Sequence, residues 1–238
     1  MKLFLKTGCI ILALFLLFTL FITEAGPGIS ITTSASSKKS PIYSVDTDLP
    51  RLGLTFDVNG TSDDMDKILS ILEDHQVHAT FFLTGAWVEE YPEAVKKIAQ
   101  EGHDLGNRSE SYKDMSFLSA NECQQELISL HERVETLTHM KMTFFRPPYG
   151  AFSNNLITTA EELGYTTVLW NLDALDWKDY GSDAIIQTLT NPNTLHKGSI
   201  MRLQSGSTYT AEALDVLLTR LSEMGYECLP LSQLISSM

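Results

Sequence analysis

Cysteine is nearly absent: three residues in 238, at positions 9, 123 and 228. Cys9 lies in an apolar leader, Cys123 falls on the apolar spacing of a helix, and Cys228 stands in a strand-like run. The last two read as buried thiols, and no disulfide framework is expected. Positive charge is also scarce, with 17 Lys and Arg against 30 Asp and Glu and a net charge of −13. Residues 1–46 hold four lysines against Glu24 and Asp46, so the remainder carries about −15. With no basic stripe, there is no electrostatic basis for binding nucleic acid. Internal repeats are lacking beyond an alternation of strands and helices. Long apolar runs are lacking too, with one exception.

That exception is an address. Lys2 and Lys6 precede "GCIILALFLLFTLFI" over residues 8–22, and Thr23, Glu24 and Ala25 follow. A basic start before an apolar run fits a signal peptide. Fifteen residues are long for such a peptide and short for a relaxed span of about 20. Residues 1–25 are therefore expected to be a signal peptide or an uncleaved membrane anchor, and in either case the rest is exported. Residues 26–48, rich in Gly, Ser and Thr, read as a flexible linker. The folded domain is expected over residues 49–238, with contact to a membrane only through the leader; its oligomeric state is not legible.

From Arg51 onward, β-type runs alternate with amphipathic helices. "RLGLTFDV", "ATFFLT", "MTFFRPP", "TTVLWNL", "GSIMRLQ" and "YECLPL" read as strands. Met65, Ile68, Leu69 and Leu72 share one helical face, and residues 87–101 predict one helix with Pro92 in its first turn. Ser119 and Glu122 form a capping-box pattern ahead of Cys123, Leu127, Leu130, Val134 and Leu137. About seven strands alternating with helices predict an α/β domain built on a parallel sheet, open or closed into a barrel. Chemistry in both forms gathers where strands end. The unusual polar residues stand there: Asp57, residues 107–112, residues 146–149, residues 173–177 and Gln204.

Those clusters, with "ATFFLTGAWVEEYP", "EGHDLGN" and "FFRPPYG", resemble the NodB-homology polysaccharide deacetylases, over about residues 50–236. Exported and sporulation-associated members of Gram-positive bacteria are the most similar. The resemblance implies a distorted (β/α) barrel, a divalent metal such as zinc, and hydrolysis of the acetamide C–N bond of N-acetylated sugars in peptidoglycan or chitin. By that resemblance Asp57 stands at the catalytic base, and Arg146 at the residue that orients it. Tyr149 offers a main-chain N–H to the oxyanion, and Asp173, Asp176 and Trp177 match a groove-lining motif.

The parts that would hold the metal are replaced. Val58 stands where the family has a second aspartate, and Arg108 and Tyr112 where it has two histidines four residues apart. Gln204 occupies the histidine of a late Leu-x-His pattern. None of the six histidines falls on a motif position, and His103 reads as a structural, hydrogen-bonded residue.

Two readings follow. In the first, Arg108 fills the metal's place and neutralises Asp57 through a bidentate pair. No cofactor is then expected, and the domain acts as a pseudoenzyme that binds a cell-wall or chitin-like glycan, or a partner, at the cell envelope. In the second, the protein is an active N-acetyl-sugar deacetylase, with Asp63 and Asp64 joining Asp57 around zinc or another divalent ion. Both aspartates also suit a helix N-terminus.

Overall fold

The computed structural model describes residues 39–58 and 60–236. The expected leader and most of the expected linker lie outside the described residues. Among the described residues no helix is long and apolar enough to cross a membrane.

Among the described residues eight strands form one sheet: β1 (Arg51–Val58), β2 (Thr80–Leu83), β3 (Asp104–Asn107), β4 (Phe144–Phe145), β5 (Thr166–Thr167), β6 (Leu172–Asp173), β7 (Ile200–Ser205) and β8 (Glu227–Leu229). Their order is β5-β4-β3-β2-β1-β7-β6, with β8 also against β1, and every pairing is parallel. The helices are α1 (Met65–Asp74), α2 (Gly85–Glu90), α3 (Pro92–Gln100), α4 (Ala120–Thr138), α5 (Asn154–Glu162), α6 (Ser182–Leu189), α7 (Thr210–Glu223) and α8 (Leu231–Ser236). The result is the distorted, partly open (β/α) barrel expected, in a single domain.

Alternation along each strand divides the apolar residues into two cores. Leu52, Leu54, Phe56 and Val58 of β1 join the outer core between sheet and helices, with Met201 and Leu203 of β7. Phe82, Phe144, Val168, Ile200 and Leu229 turn the other way and fill the barrel interior, where Leu231 and Leu234 of α8 plug one end. Gly53, Thr55 and Asp57 therefore face the interior, and Asp57 lies at the end of β1 beyond that plug.

Three expectations need correction. The helix over residues 87–101 is two helices, broken at Tyr91 (φ −126°, ψ 54°), and Pro92 opens the second. Proline lacks the N–H that a continuing helix needs and pushes the preceding residue out of the helical region. The run "TTVLWNL" is not one strand: its two ends form β5 and β6, at opposite edges of the sheet. The linker ends earlier than expected, since Ile42 bridges Val168, Ser44 bridges Ser199, and Val45 is buried in the inner core.

This N-terminal strap crosses to β7 through a close approach at Gly198. The Val45 N–H donates to the Gly198 carbonyl at 2.8 Å, Gly198 has φ +75°, and a Cβ there would overlap the Val45 carbonyl. Gly198→Ala is expected to destabilise the domain by about 1–3 kcal/mol, from backbone strain and displacement of the strap. An unchanged thermal midpoint would show that the strap contributes nothing to stability.

Candidate functional site

The site gathers at the C-terminal ends of β1, β3, β4, β6 and β7. Asp57 is fully buried, yet it is an ion (Asp57 0 % exposed). Its Oδ1 accepts from Arg146 Nη1 at 2.9 Å, and its Oδ2 from Arg202 Nε at 2.7 Å. Arg108 Nη2 lies 2.9 Å from the same Oδ2. Burial pushes the Asp57 carboxyl up, but the guanidiniums of Arg108, Arg146 and Arg202 outweigh it and hold the pKa at about 2.

Each arginine is placed by the strand that it lies in or directly follows. Arg146 follows β4 and is sealed in the interior, its guanidinium carbon over the Phe82 ring at 4.0 Å from the ring centre. It also donates to Thr55 Oγ1 and to the carbonyls of Val168 and Leu169. Burial draws its pKa down to about 10, against the pull of Asp57. Arg202 is an inward residue of β7, opposite Thr55 in register. It reaches Asp57 with Nε and Asp173 Oδ2 with Nη1 at 2.8 Å, and its guanidinium lies 4.4 Å from the Trp170 ring centre.

Arg108 and Tyr112 meet where two imidazoles were expected. Arg108 Nη2 donates to the Tyr112 hydroxyl at 2.9 Å, and the guanidinium carbon lies 4.6 Å from that ring's centre. The loop between them is braced internally. Asn107 Oδ1 accepts from Ser109 N, Ser109 Oγ from Tyr112 N, and the Glu126 carboxylate from Ser111 N and Oγ. Those contacts hold Ser109 and Tyr112 at φ 71° and 53°, a left-handed geometry that side-chain-bearing residues adopt at a cost.

The remaining predicted residues divide. Tyr149 is exposed and packs against Tyr112, with ring centres 5.0 Å apart. Its main-chain N–H, at φ 59° after two prolines, has no acceptor among the described residues. Trp177 is exposed, and Lys178 Nζ stands 5.1 Å from its ring centre. Asp173 holds Arg202 and accepts from Leu175 N. Asp176 is buried instead of lining a groove: its Oδ2 accepts from Gln204 N and Thr210 Oγ1 at 2.7 and 2.8 Å. Burial raises its pKa. Gln204 sits beside Asp57 in register.

Val58, at the end of β1, is packed in the outer core and lines a small cavity together with Tyr112 and Thr84. Asp64 stands at the start of α1 but makes no side-chain cap; its carboxylate accepts from Gly206 N at 2.8 Å. Asp63 accepts from Thr61 Oγ1. His103 is buried, accepts from Ala79 N through Nδ1, and is kept neutral by burial and by His78, with a pKa of about 4.

The one-to-one bidentate pair expected between Arg108 and Asp57 is replaced by a carboxylate shared among three guanidiniums. Arg202 was not singled out from the sequence, because the Leu-x-His comparison drew attention to Gln204. Arg202 stands at the leucine of that pattern. The available signal was a lone arginine on the inward face of an apolar strand, which needs a buried anion nearby.

These residues do not fit a catalytic metal. Among the described residues no group of three His, Cys, Asp or Glu is placed to hold one. A cation beside Asp57 would instead meet the guanidiniums of Arg108 and Arg202. Asp57 is also poorly suited as a general base, since both its oxygens are engaged and its pKa lies far below neutrality.

A family model described as polysaccharide deacetylase matches residues 44–168. The peptidoglycan-N-acetylmuramic acid deacetylase PdaA of Bacillus subtilis is 34% identical over 201 residues, 81% of this chain and 74% of that protein. Its solved structure, that of a family 4 carbohydrate esterase, covers 83% of this chain and 85% of its own at 32% identity, with a TM-score of 0.78. A CE4 family pseudoenzyme from Bacillus anthracis is 32% identical, covers 82% of this chain and 68% of its own, and also has a TM-score of 0.78. A mutant of it with restored enzymatic activity is 33% identical over 82% of this chain and 71% of its own, again at 0.78. Matched by the family model over more than half its length, and sharing its barrel with both a deacetylase and a pseudoenzyme, this chain belongs to the NodB-homology polysaccharide deacetylase family.

Proposed function

We propose that this protein is a glycan-binding pseudoenzyme of the cell envelope, in which the deacetylase centre has become a closed arginine–carboxylate cluster. One observation carries the reading: both oxygens of Asp57 are taken by Arg146, Arg108 and Arg202. A carboxylate so held activates no water, and the guanidiniums stand where a cation would be needed. The pseudoenzyme among the relatives gives the reading a precedent in the family.

The mouth of the barrel keeps a surface suited to sugar. Tyr149, Trp177 and Tyr180 are exposed on loops at that end, and sugar rings pack their C–H faces on such aromatics. The deacetylases among the relatives carry peptidoglycan in their names, which supports a peptidoglycan-like ligand. The basic–apolar leader at residues 1–25 supports export to that compartment. The active-deacetylase reading needs Asp63 or Asp64 beside Asp57; Asp63 accepts from Thr61 and Asp64 Oδ2 from Gly206 N, while both oxygens of Asp57 are held by arginines, so it is the weaker one.

The test pairs binding with chemistry. The purified protein is expected to sediment with insoluble peptidoglycan, to release no acetate from it or from N-acetylglucosamine oligomers, and to carry well below one equivalent of zinc, cobalt or nickel. Trp177→Ala should weaken sedimentation severalfold, the scale on which a buried aromatic anchor acts. Stoichiometric metal with acetate release would overturn the pseudoenzyme reading. Absence of glycan binding would overturn the other half.

A further inference from the structure

Behind the loop that carries Arg108 and Tyr112, a chain of hydrogen bonds runs from the barrel to the surface of α4. Asn107, fully buried at the end of β3, accepts from Ser109 N through Oδ1 at 2.9 Å. Its Nδ2 donates to the Leu127 carbonyl at 2.9 Å and to the Tyr165 hydroxyl at 3.0 Å. Tyr165 Oη in turn lies 2.6 Å from His131 Nδ1, and His131 Nε2 lies 3.8 Å from Glu135 Oε2. Tyr165 is buried, whereas His131 keeps 24 % of its side chain exposed.

The direction of every bond in this chain is fixed. A main-chain N–H only donates and a carbonyl only accepts, so Ser109 N and Leu127 O decide which end of the Asn107 amide is oxygen. The second Nδ2 hydrogen goes to Tyr165 Oη, which accepts there and keeps its own hydrogen for His131. Burial pushes the Tyr165 phenol up to about 12, so that hydrogen is present at any ordinary pH. His131 Nδ1 is therefore the acceptor, and its proton sits on Nε2, toward Glu135. An imidazolium carries hydrogen on both nitrogens, and its Nδ1–H would meet the Tyr165 O–H head on. Tyr165 can accept it only by turning its own hydrogen toward Asn107 or into the packing against Phe145, and a buried donor without an acceptor is costly. Glu135, one turn along α4, faces the nitrogen that is protonated in both forms and favours the charged one.

We infer that His131 is a proton-operated latch on the arginine-bearing loop: a second proton, at Nδ1, withdraws Tyr165 from Asn107 and frees the turn at Ser109. That turn needs its brace, since Ser109 stands at φ 71°. Ser109 Oγ accepts from Tyr112 N, and the Tyr112 hydroxyl accepts from Arg108 Nη2, so the latch ends on the guanidinium beside Asp57. Neighbouring amides hang on other partners, Arg108 N on the Leu83 carbonyl and Glu110 N on that of Glu126. The release is therefore local. It is independent of the glycan reading, because it concerns how the loop is held and not what the mouth binds.

The test follows the His131 ring and the loop amides by NMR in one nitrogen-15-labelled sample of the full chain, from neutral pH to the onset of acid unfolding. At neutral pH the ring nitrogens should report the Nε2–H tautomer. As His131 takes its second proton, exchange at Ser109 and Tyr112, corrected for the intrinsic effect of pH, should rise on the order of tenfold. Arg108 and Glu110 should stay protected. His131→Gln can accept from Tyr165 at every pH and should abolish the rise. Tyr165→Phe should leave Ser109 exchanging fast throughout, with no step as His131 titrates; if that variant fails to fold, His131→Gln still decides. An Nδ1–H tautomer, an imidazole that stays neutral down to unfolding, or no rise at Ser109 would overturn the latch. So would a rise at all four amides together, or one that persists in His131→Gln.

Discussion

Asp57→Asn is expected to cost the domain about 3–5 kcal/mol, the range for breaking a buried ion pair from one side. Two of the three guanidiniums that would lose their anion, Arg108 and Arg146, are 2 % and 0 % exposed and have no water to replace it. Arg108→Ala should cost less, because Arg146 and Arg202 still neutralise Asp57. The double variant should be less stable than Arg108→Ala alone, since two cations would remain without their carboxylate. Urea unfolding of the four proteins gives the coupling directly. The dependence on pH has a definite sign. The folded pKa of Asp57, about 2, lies below its ordinary value of 3.8. Its stabilisation, roughly 2 kcal/mol for a shift of that size, is complete above about pH 4 and lost as pH falls through about 2. Asp64 and Asp176 have raised values and act in the opposite sense. The readout is therefore the difference between wild type and Asp57→Asn across that window. No such difference, together with a stable Asp57→Asn, would show that the arginines are not held by this carboxylate.

On the proposed pseudoenzyme reading, deacetylation is expected to need five substitutions, not four. Sequence comparison points to Val58→Asp, Arg108→His, Tyr112→His and Gln204→His, which return the family's ligands and proton donor. In that variant Arg202 Nε would still lie on Asp57 Oδ2, as at 2.7 Å now, leaving a fixed positive charge beside any divalent ion. At an effective dielectric near 20, like unit charges about 4 Å apart repel by roughly 4 kcal/mol, and twice that for a divalent ion. Adding Arg202→Leu should therefore strengthen zinc binding on the order of a thousandfold or more. Acetate release from N-acetylglucosamine oligomers should appear only then, because groups acting as a unit are not additive. Zinc titration of the fourfold and fivefold variants decides the point. Equal affinity would mean that Arg202 turns away once a metal is present.

The sequence carried the fold well, because two periodicities were written in it without interruption. Alternation in "RLGLTFDV" set Asp57 opposite Phe56 and Val58, and the capping box at Ser119 and Glu122 forms as read. Its failures came where a local pattern had two outcomes. Pro92 suited the first turn of a long helix or of a new one, and the distorted backbone at Tyr91 chose the second. "TTVLWNL" has the composition of one strand, but its ends pair with β4 and with β7, neighbours far apart in the sheet. Low apolar content made residues 26–48 look like a free linker, although Ile42 and Val45 suffice to anchor its end.

By itself the sequence determined the family and the parallel barrel, and it set the expectation, from residue type at motif positions, that Val58, Arg108 and Tyr112 stand where the family has metal ligands. It also determined that Arg108 and Tyr112, four residues apart after a strand, had the spacing to meet. Which groups surround Asp57 was decided only by the tertiary structure. Arg108 and Arg146, each just past a strand, and Arg202 within one lie up to 94 positions apart in the chain, and nothing local relates them to one another or to Asp57. Ion pairing at this site depends on register between β1 and β7 and on burial by the inner core. Those are long-range properties, and they turn a charged side chain on an apolar strand from an anomaly into one member of a shared cluster.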